Sequence, residues 1–416
     1  MVVGIILTGV FIKSSLPSFE VIVLENLNNS NKFKAIFPST LYVFALNIGF
    51  TNSFLYTKNN DCIVIELAKI AVVGAGPAGV IVGNYLISQG FNVTLFEEKK
   101  ETISTPCGEG ISHRTVEKLE KDTDFDSSLF ISREVKGLKN FFPGYYHVFI
   151  HKKGYVLNRQ DWLKGLQNHF QKNGGKIVFN KKISSLKGIQ SDFFVAADGP
   201  NSFIRKQINA KVEVVPACQY KMVLDHPQRD YVEFCWDKQV SQFYAWNFPK
   251  ANNQFNVGTM GNFSQLNDFI KKYGLKGRIE KKEAYPITFN GKGIQKENIL
   301  LIGDAAGMAN PFSKGGLAPI VYASEILTKC LKENTAEEYE KKIYEHPAFS
   351  HEFYQLYRII CKLSQEELRA IGSVAHGFDL FKMPLTAKLR VLTHPLLINN
   401  FLKLYSGFKK GIELAW

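Results

Sequence analysis

One short stretch limits the fold more than any other: Lys69-Ile70-Ala71-Val72-Val73 followed by Gly74-Ala75-Gly76-Pro77-Ala78-Gly79. The apolar, β-branched run reads as a buried parallel strand, and Ala78 to Gln89 reads as a helix that stops at Gly90. Between them each glycine has its own task. Gly74 permits the tight turn, Gly76 lets backbone approach a pyrophosphate, and Gly79 lets the helix, opened by Ala78, pack against the strand. A helix starting there offers free N–H groups and about half a positive charge to an anion. A second strand, Asn92 to Phe96, delivers Glu97 about 20 residues downstream, where a carboxylate can accept both hydroxyls of a ribose. A glycine loop alone could be an ordinary turn. Strand, turn, helix, strand and acid in this order predict a nucleotide site, without saying which dinucleotide fills it.

Two further motifs narrow the choice. Phe193 to Arg205 is an apolar strand running into Asp198-Gly199-Pro200-Asn201-Ser202-Phe203-Ile204-Arg205, and Ile299 to Gly307 is a strand running into Gly303-Asp304-Ala305-Ala306-Gly307. Either acid beside glycine could be a plain turn. Together with the first motif they resemble the FAD-binding pattern of the glutathione-reductase-like flavoproteins, in the branch that holds aromatic hydroxylases and geranylgeranyl reductases. The resemblance implies an α/β chain, α+β overall, with a glutathione-reductase-like Rossmann domain for FAD, an antiparallel-sheet substrate domain and a C-terminal helical region. It also implies that Asp304 bonds the ribityl chain and that a helix starting near Gly315 or Gly316 points its N-terminus at the flavin, stabilising the anionic reduced form. Arg159, in Val156-Leu157-Asn158-Arg159-Gln160-Asp161-Trp162, resembles the arginine that opens the helix under the cofactor; the plain alternative is a surface arginine.

Two more stretches resemble the geranylgeranyl reductase family in particular. Pro106-Cys107-Gly108-Glu109-Gly110 is similar to its CGEG or CGGG loop beside the isoalloxazine, and Tyr244-Ala245-Trp246-Asn247-Phe248-Pro249, followed by Gly258, is similar to its YxWxFP motif in the substrate domain. The resemblance covers about Lys69 to the 320s. It implies reduction of isolated C=C bonds in geranylgeranyl chains of lipids or prenyl diphosphates, with Cys107, Glu109 or a water near the proton. Tyr244, Trp246, Phe248, Pro249 and Gly258 would bind the isoprenoid, and Lys250 would be available for a phosphate. Val232, Phe234 and Trp236, then Tyr244, Trp246 and Phe248, also alternate as half-buried strands do, and both readings can hold together. The pattern departs from the family where Gly258-Thr259-Met260-Gly261 replaces Gly-x-Gly and where Lys314 stands in place of a common glycine before Gly315-Gly316. The electron donor, NAD(P)H or ferredoxin, leaves no motif. An FAD-dependent aromatic monooxygenase and a redox-inactive lipid-binding or escort protein stay open as alternatives.

These motifs divide the 416 residues into a cofactor domain (67–210 and 290–335), a substrate sheet (211–289), a helical region (336–416) and an atypical extension, 1–66. The extension holds apolar stretches from Val2 to Ile12 and from Leu41 to Leu55, the first too short to span a bilayer and the second broken by polar residues. It reads as translated upstream sequence, a poorly ordered extension or a weak membrane anchor; against the first, no methionine lies between Met1 and Met222. The formal charge of +13 comes mainly from lysine, with no nucleic-acid module around it; it reads either as genome bias toward lysine or, if the charge has a function, as a match to an anionic membrane surface or a phosphate-bearing substrate. Near the end Phe401, Leu402, Tyr405 and Phe408 interleave with Lys403, Lys409 and Lys410, which suits a membrane-facing or a core-packing helix. Six cysteines without paired spacing, and His147 and His151 without a third ligand, imply neither disulfides nor metal. A monomer in the cytoplasm, with a membrane's inner face within reach, is expected.

Overall fold

The computed structural model describes residues 68–225 and 229–393, the short strands Ser53–Tyr56 and Cys62–Ile65, and positions 407, 409–411 and 414. The two short strands pair with each other as an antiparallel hairpin. The apolar stretch from Val2 to Ile12, most of Leu41 to Leu55, and Phe401, Leu402, Lys403, Tyr405 and Phe408 lie outside the described residues.

The chain folds as a glutathione-reductase-like Rossmann domain joined to a second sheet and a C-terminal helical region. A six-stranded sheet carries, in spatial order, Lys176–Val178, Asn92–Phe96, Lys69–Val73, Phe193–Ala196, Ile299–Leu301 and Gln295–Lys296. All its pairs are parallel except the last. Strands covered on both faces are apolar throughout rather than alternating, which is why Lys69–Val73 and Phe193–Ala196 look as they do. The helices Pro77–Ser88, Arg159–Lys172 and Leu317–Lys332 cover this sheet, and Trp162, Phe170, Ile81 and Leu95 are among its fully buried side chains.

The second sheet has seven strands, in the order Gly277–Lys292, Lys211–Leu224, Gln254–Met260, Ala245–Pro249, Tyr231–Cys235, Gly137–Phe142 and Tyr146–Ile150. It is antiparallel except where Tyr231–Cys235 runs parallel to Gly137–Phe142. Two of its strands thus come from residues 137–150, well ahead of the rest in sequence. The half-buried alternation expected around the YxWxFP stretch is not what is found: every residue of Ala245–Pro249 is buried. One face packs against the helix Phe263–Lys272, while the other is covered by the cofactor domain and the helices His351–Lys362 and Gln365–Val374. Helix Gln365–Val374 begins with the capping box foreseen at Ser364, whose side chain and that of Glu367 bond reciprocally.

A close constraint on the fold is the contact between turn and helix at the first motif. A Cβ on Gly79 would stand 1.9 Å from the Gly74 carbonyl oxygen, and one on Gly74 would stand 2.3 Å from that of Ala197. Gly74 also has φ +102°, which side chains rarely tolerate. Gly79→Ala improves helix propensity yet forces this overpacked contact, so it is expected to lower unfolding free energy by about 2 kcal/mol in urea titration. A variant as stable as the parent would contradict the contact.

Candidate active site

The site starts at the carboxyl ends of three neighbouring strands. At the first, the Gly74 amide donates to the Phe96 carbonyl (2.7 Å), and the Ala75 amide donates to Glu97 Oε2 (2.8 Å), so the carboxylate lies against the glycine turn. Gln167 Nε2 donates to the Ala75 carbonyl from the helix behind it (2.8 Å). Gly76 is different: a Cβ there would meet nothing within 4 Å, and the helix Pro77–Ser88 has no side-chain cap. The start of this helix therefore opens onto space.

At the second strand end, Asp198 Oδ2 accepts from the Phe203 amide (2.9 Å), while Oδ1 is buried without a partner among the described residues. Ser202 caps the following turn, and Arg205 from that turn donates to the carbonyls of Asp304 and Ala305 (3.3 Å each) and of Pro200. The arginine of DGxxSxxR thus ties the second acidic loop to the third. Asp304 itself stands beside Arg159, Tyr285 and Thr288; burial pushes its carboxyl up to about 6 despite the opposing pull of Arg159 and those hydroxyls. Arg159 is buried at the start of its helix with Nε unpartnered among the described residues. A Cβ on Gly303 would meet that of Ala78 at 2.5 Å, so first and third motifs touch.

Beyond Asp304 opens the cavity. Gly316 is the N-cap of helix Leu317–Lys332, without a side-chain cap, and the turn before it is held by Tyr244, whose hydroxyl donates to the Ser313 carbonyl. Facing that turn is the Cys107-Gly108-Glu109 loop. The Gly108 carbonyl accepts from Asn256 Nδ2 (3.0 Å) and the Cys107 carbonyl from Gln219 Nε2 (3.0 Å). Glu109 takes a left-handed backbone (φ +69°), is buried, and accepts from Lys221 Nζ (3.1 Å) and from Lys250 Nζ. Lys250 is thus an ion-pair partner, not the unencumbered phosphate ligand the sequence suggests. Glu283, also buried, accepts from Gln219 and pairs with Lys281 (2.7 Å each). Burial would raise its carboxyl, but these partners and Lys221 outweigh burial and hold it below the ordinary range.

The remaining wall is aromatic. Phe234 meets Tyr244 and Phe248 edge-on, with ring centroids 5.0 and 5.3 Å apart, and Trp246 stands beside them with Nε1 buried and unpartnered among the described residues. Two glycines make room. A Cβ on Gly258 would lie 2.1 Å from the Trp246 ring, and one on Gly108 would lie 2.9 Å from that of Phe248.

The cavity therefore brings together Cys107, Gly108, Glu109, Arg159, Tyr244, Trp246, Phe248, Asp304, Gly315 and Gly316. Gly74, Gly76, Ala78, Gly79, Glu97, Asp198 and Gly303 form the adjoining strand-end crevice. Pro249 and Gly258 sit in the strands behind the aromatic wall. Sequence reading missed Gln219, Lys221, Glu283 and Tyr285. Alternation could have found the first two: Ala217, Gln219 and Lys221 share one face of a strand whose other face, Cys218, Tyr220 and Met222, is core. Among the described residues no group of side chains could hold a metal ion.

Residues 68–122 match the model of a family described as an FAD binding domain. The chain is 26% identical over 402 residues to digeranylgeranylglycerophospholipid reductase 1 of Methanosphaera stadtmanae, covering 80% of this chain and 95% of that one. It is 28% identical over 340 residues to digeranylgeranylglycerophospholipid reductase of Thermoplasma acidophilum, covering 68% and 84%. Among solved structures, a geranylgeranyl bacteriochlorophyll reductase-like protein of Thermoplasma acidophilum superposes with a TM-score of 0.70 at 22% identity, covering 81% of this chain and 99% of that one. A flavin-dependent halogenase superposes with a TM-score of 0.58 at 16% identity, covering 72% and 66%. The chain resembles the geranylgeranyl reductase family and carries an FAD-binding domain.

The raised carboxyl of Asp304 has a measurable effect on stability. Its folded value, about 6, lies above the ordinary 3.8, so the native state holds a proton that the unfolded chain has released. The stability this gives is fully present below pH ~4 and is lost as pH rises through 6. In FAD-free protein, Asp304→Asn should therefore gain stability relative to the parent between pH 4 and pH 7 in urea titrations; parallel pH profiles would contradict it.

Proposed function

From its likeness to the geranylgeranyl reductase family, we propose that this chain is an FAD-dependent oxidoreductase that saturates C=C bonds of geranylgeranyl chains in lipid or prenyl diphosphate substrates. The observation that carries the reading is the cavity itself. A CGEG loop faces an aromatic wall, next to an aspartate at a strand end and an open helix N-terminus. The likeness to halogenases is one of fold, at lower identity.

The residues present fit FAD. Gly76 opens onto space, the helix behind it is uncapped, and Asp198 Oδ1 and Arg159 Nε are buried polar atoms in need of partners. Gly74, Gly76, Ala78, Gly79 and Glu97 would hold the adenosine and pyrophosphate; Asp198, Gly303 and Asp304 the middle; and Arg159, Cys107, Gly108, Gly315 and Gly316 the ring end. Bound and reduced, FAD supplies a hydride for one carbon of the double bond. An unactivated alkene is a poor acceptor, so alignment in a dry cavity matters most. Tyr244, Trp246 and Phe248, with Pro249 and Gly258 shaping their strands, give the isoprenoid an apolar wall.

The second carbon needs a proton, and the Cys107–Glu109 segment holds it. Cys107 Sγ borders the cavity and accepts from the Glu109 amide (3.3 Å), and the Glu109 carboxylate accepts from Lys221, whose side chain is 36% exposed. Electrons come from NAD(P)H or a ferredoxin. The chain works as a monomer in the cytoplasm and meets its lipid at the membrane surface; among the described residues no helix is long and apolar enough to cross a membrane.

Purified protein should be yellow. Reduced anaerobically, it should add pairs of hydrogens to geranylgeranyl lipids, as read by mass spectrometry. No mass gain across prenyl diphosphates, ether lipids and quinones would overturn the proposal. Cys107→Ala should retain FAD but turn over about 10²-fold more slowly; unchanged turnover would remove Cys107 from proton delivery.

A further inference from the structure

Lys314 is a buried side chain that the proposed chemistry does not use. Only 6% of the residue is exposed, and Nζ has no hydrogen-bond partner among the described residues. The amine lies 3.1 Å from the centroid of the Phe289 ring, 3.8 Å from that of Tyr357 and 5.6 Å from that of Phe243. Its backbone is left-handed, φ +53°, in a turn where glycine would be unstrained. A lysine held in a strained conformation with no polar partner needs a reason.

The surroundings supply one. The turn Asn310–Gly316 is closed by its own bonds: Asn310 Oδ1 accepts from the amides of Phe312 (2.9 Å) and Ser313 (3.0 Å), and the Lys314 amide donates to the Asn310 carbonyl (2.8 Å). On the cavity side Tyr244 holds Ser313. The Lys314 side chain reaches between Phe289, near the end of the long edge strand, and Tyr357 on the helix His351–Lys362. We propose that Lys314 is a positioning residue: boxed by three aromatic rings, its amine bolts this turn, and with it the helix N-terminus facing the cavity, to the C-terminal helical layer.

Burial pushes the amine down to about 6, against the weaker upward pull of Cys361 and Glu213, the titratable neighbours that face it besides Tyr357. Burial thus favours the uncharged amine, which can donate to the ring faces. Protonation places a charge in the box with no ion-pair partner, at a desolvation cost that the rings only partly offset. The folded value lies below the ordinary 10.5, so the native state binds fewer protons than the unfolded chain between pH ~6 and ~10. The box is therefore stabilised as pH rises through this window and has lost that stabilisation once pH has fallen to ~6.

The test is FAD affinity of the full chain from pH 5 to pH 8, by flavin fluorescence, for the parent, Lys314→Met and Lys314→Arg. Asp304 titrates in the same window, so the readout is the difference between parent and variants. The parent should lose roughly fivefold more affinity than Lys314→Met between pH 7.5 and pH 5, as a coupling of this kind would give. Lys314→Arg, charged throughout, should bind FAD weakly at every pH. A parent and Lys314→Met with parallel profiles would overturn the proposal, whether or not Lys314→Arg folds, because a merely structural lysine would shift affinity equally at all pH values.

Discussion

Three strands that end side by side dictate the rest of this molecule. Where Lys69–Val73, Phe193–Ala196 and Ile299–Leu301 stop, their loops crowd so closely that Gly74 faces the Ala197 carbonyl and Gly303 faces Ala78. No side chain fits there, so backbone amides and two carboxylates are what the crevice can present. Arg205 then fixes the second loop to the third through three carbonyls. This is the usual place for a ligand in an open parallel sheet, outside the carboxyl ends of its strands.

The second sheet completes the site by supplying what the first lacks, an apolar wall and a set of buried charges. Both depend on small residues. Gly258 and Gly108 leave the space that Trp246 and Phe248 occupy. Glu109 draws Lys221 and Lys250 inward, a pairing that burial makes costly to break, since a lone carboxylate there would be left uncompensated. Loop and sheet are therefore coupled electrostatically as well as by packing.

Much of this was legible in the sequence, for a physical reason. Nucleotide-binding turns need particular residues at particular spacings, so Gly74, Gly79, Glu97, Asp198 and Asp304 announce themselves, and the helix start at Gly316 follows from its glycines. The CGEG and YxWxFP stretches could be recognised only by resemblance. Alternation foresaw half-buried strands, but both faces of Ala245–Pro249 are covered, one by helices far along the chain, and local pattern does not report such long-range cover. The lysine partners of Glu109 were invisible for the same reason: Lys221 and Lys250 lie more than a hundred residues away in sequence. Strands 137–142 and 146–150 join a sheet whose other members begin at Lys211, a choice set by pairing rather than composition.

On the proposed function, the crevice and the cavity together let a reduced flavin act on an isoprenoid double bond. Anaerobic stopped-flow mixing of reduced, FAD-loaded protein with a geranylgeranyl lipid tests it directly. The expected result is reappearance of oxidised-flavin absorbance, with one double bond lost per flavin. A flavin that stays reduced with every prenyl lipid until oxygen is admitted would contradict it.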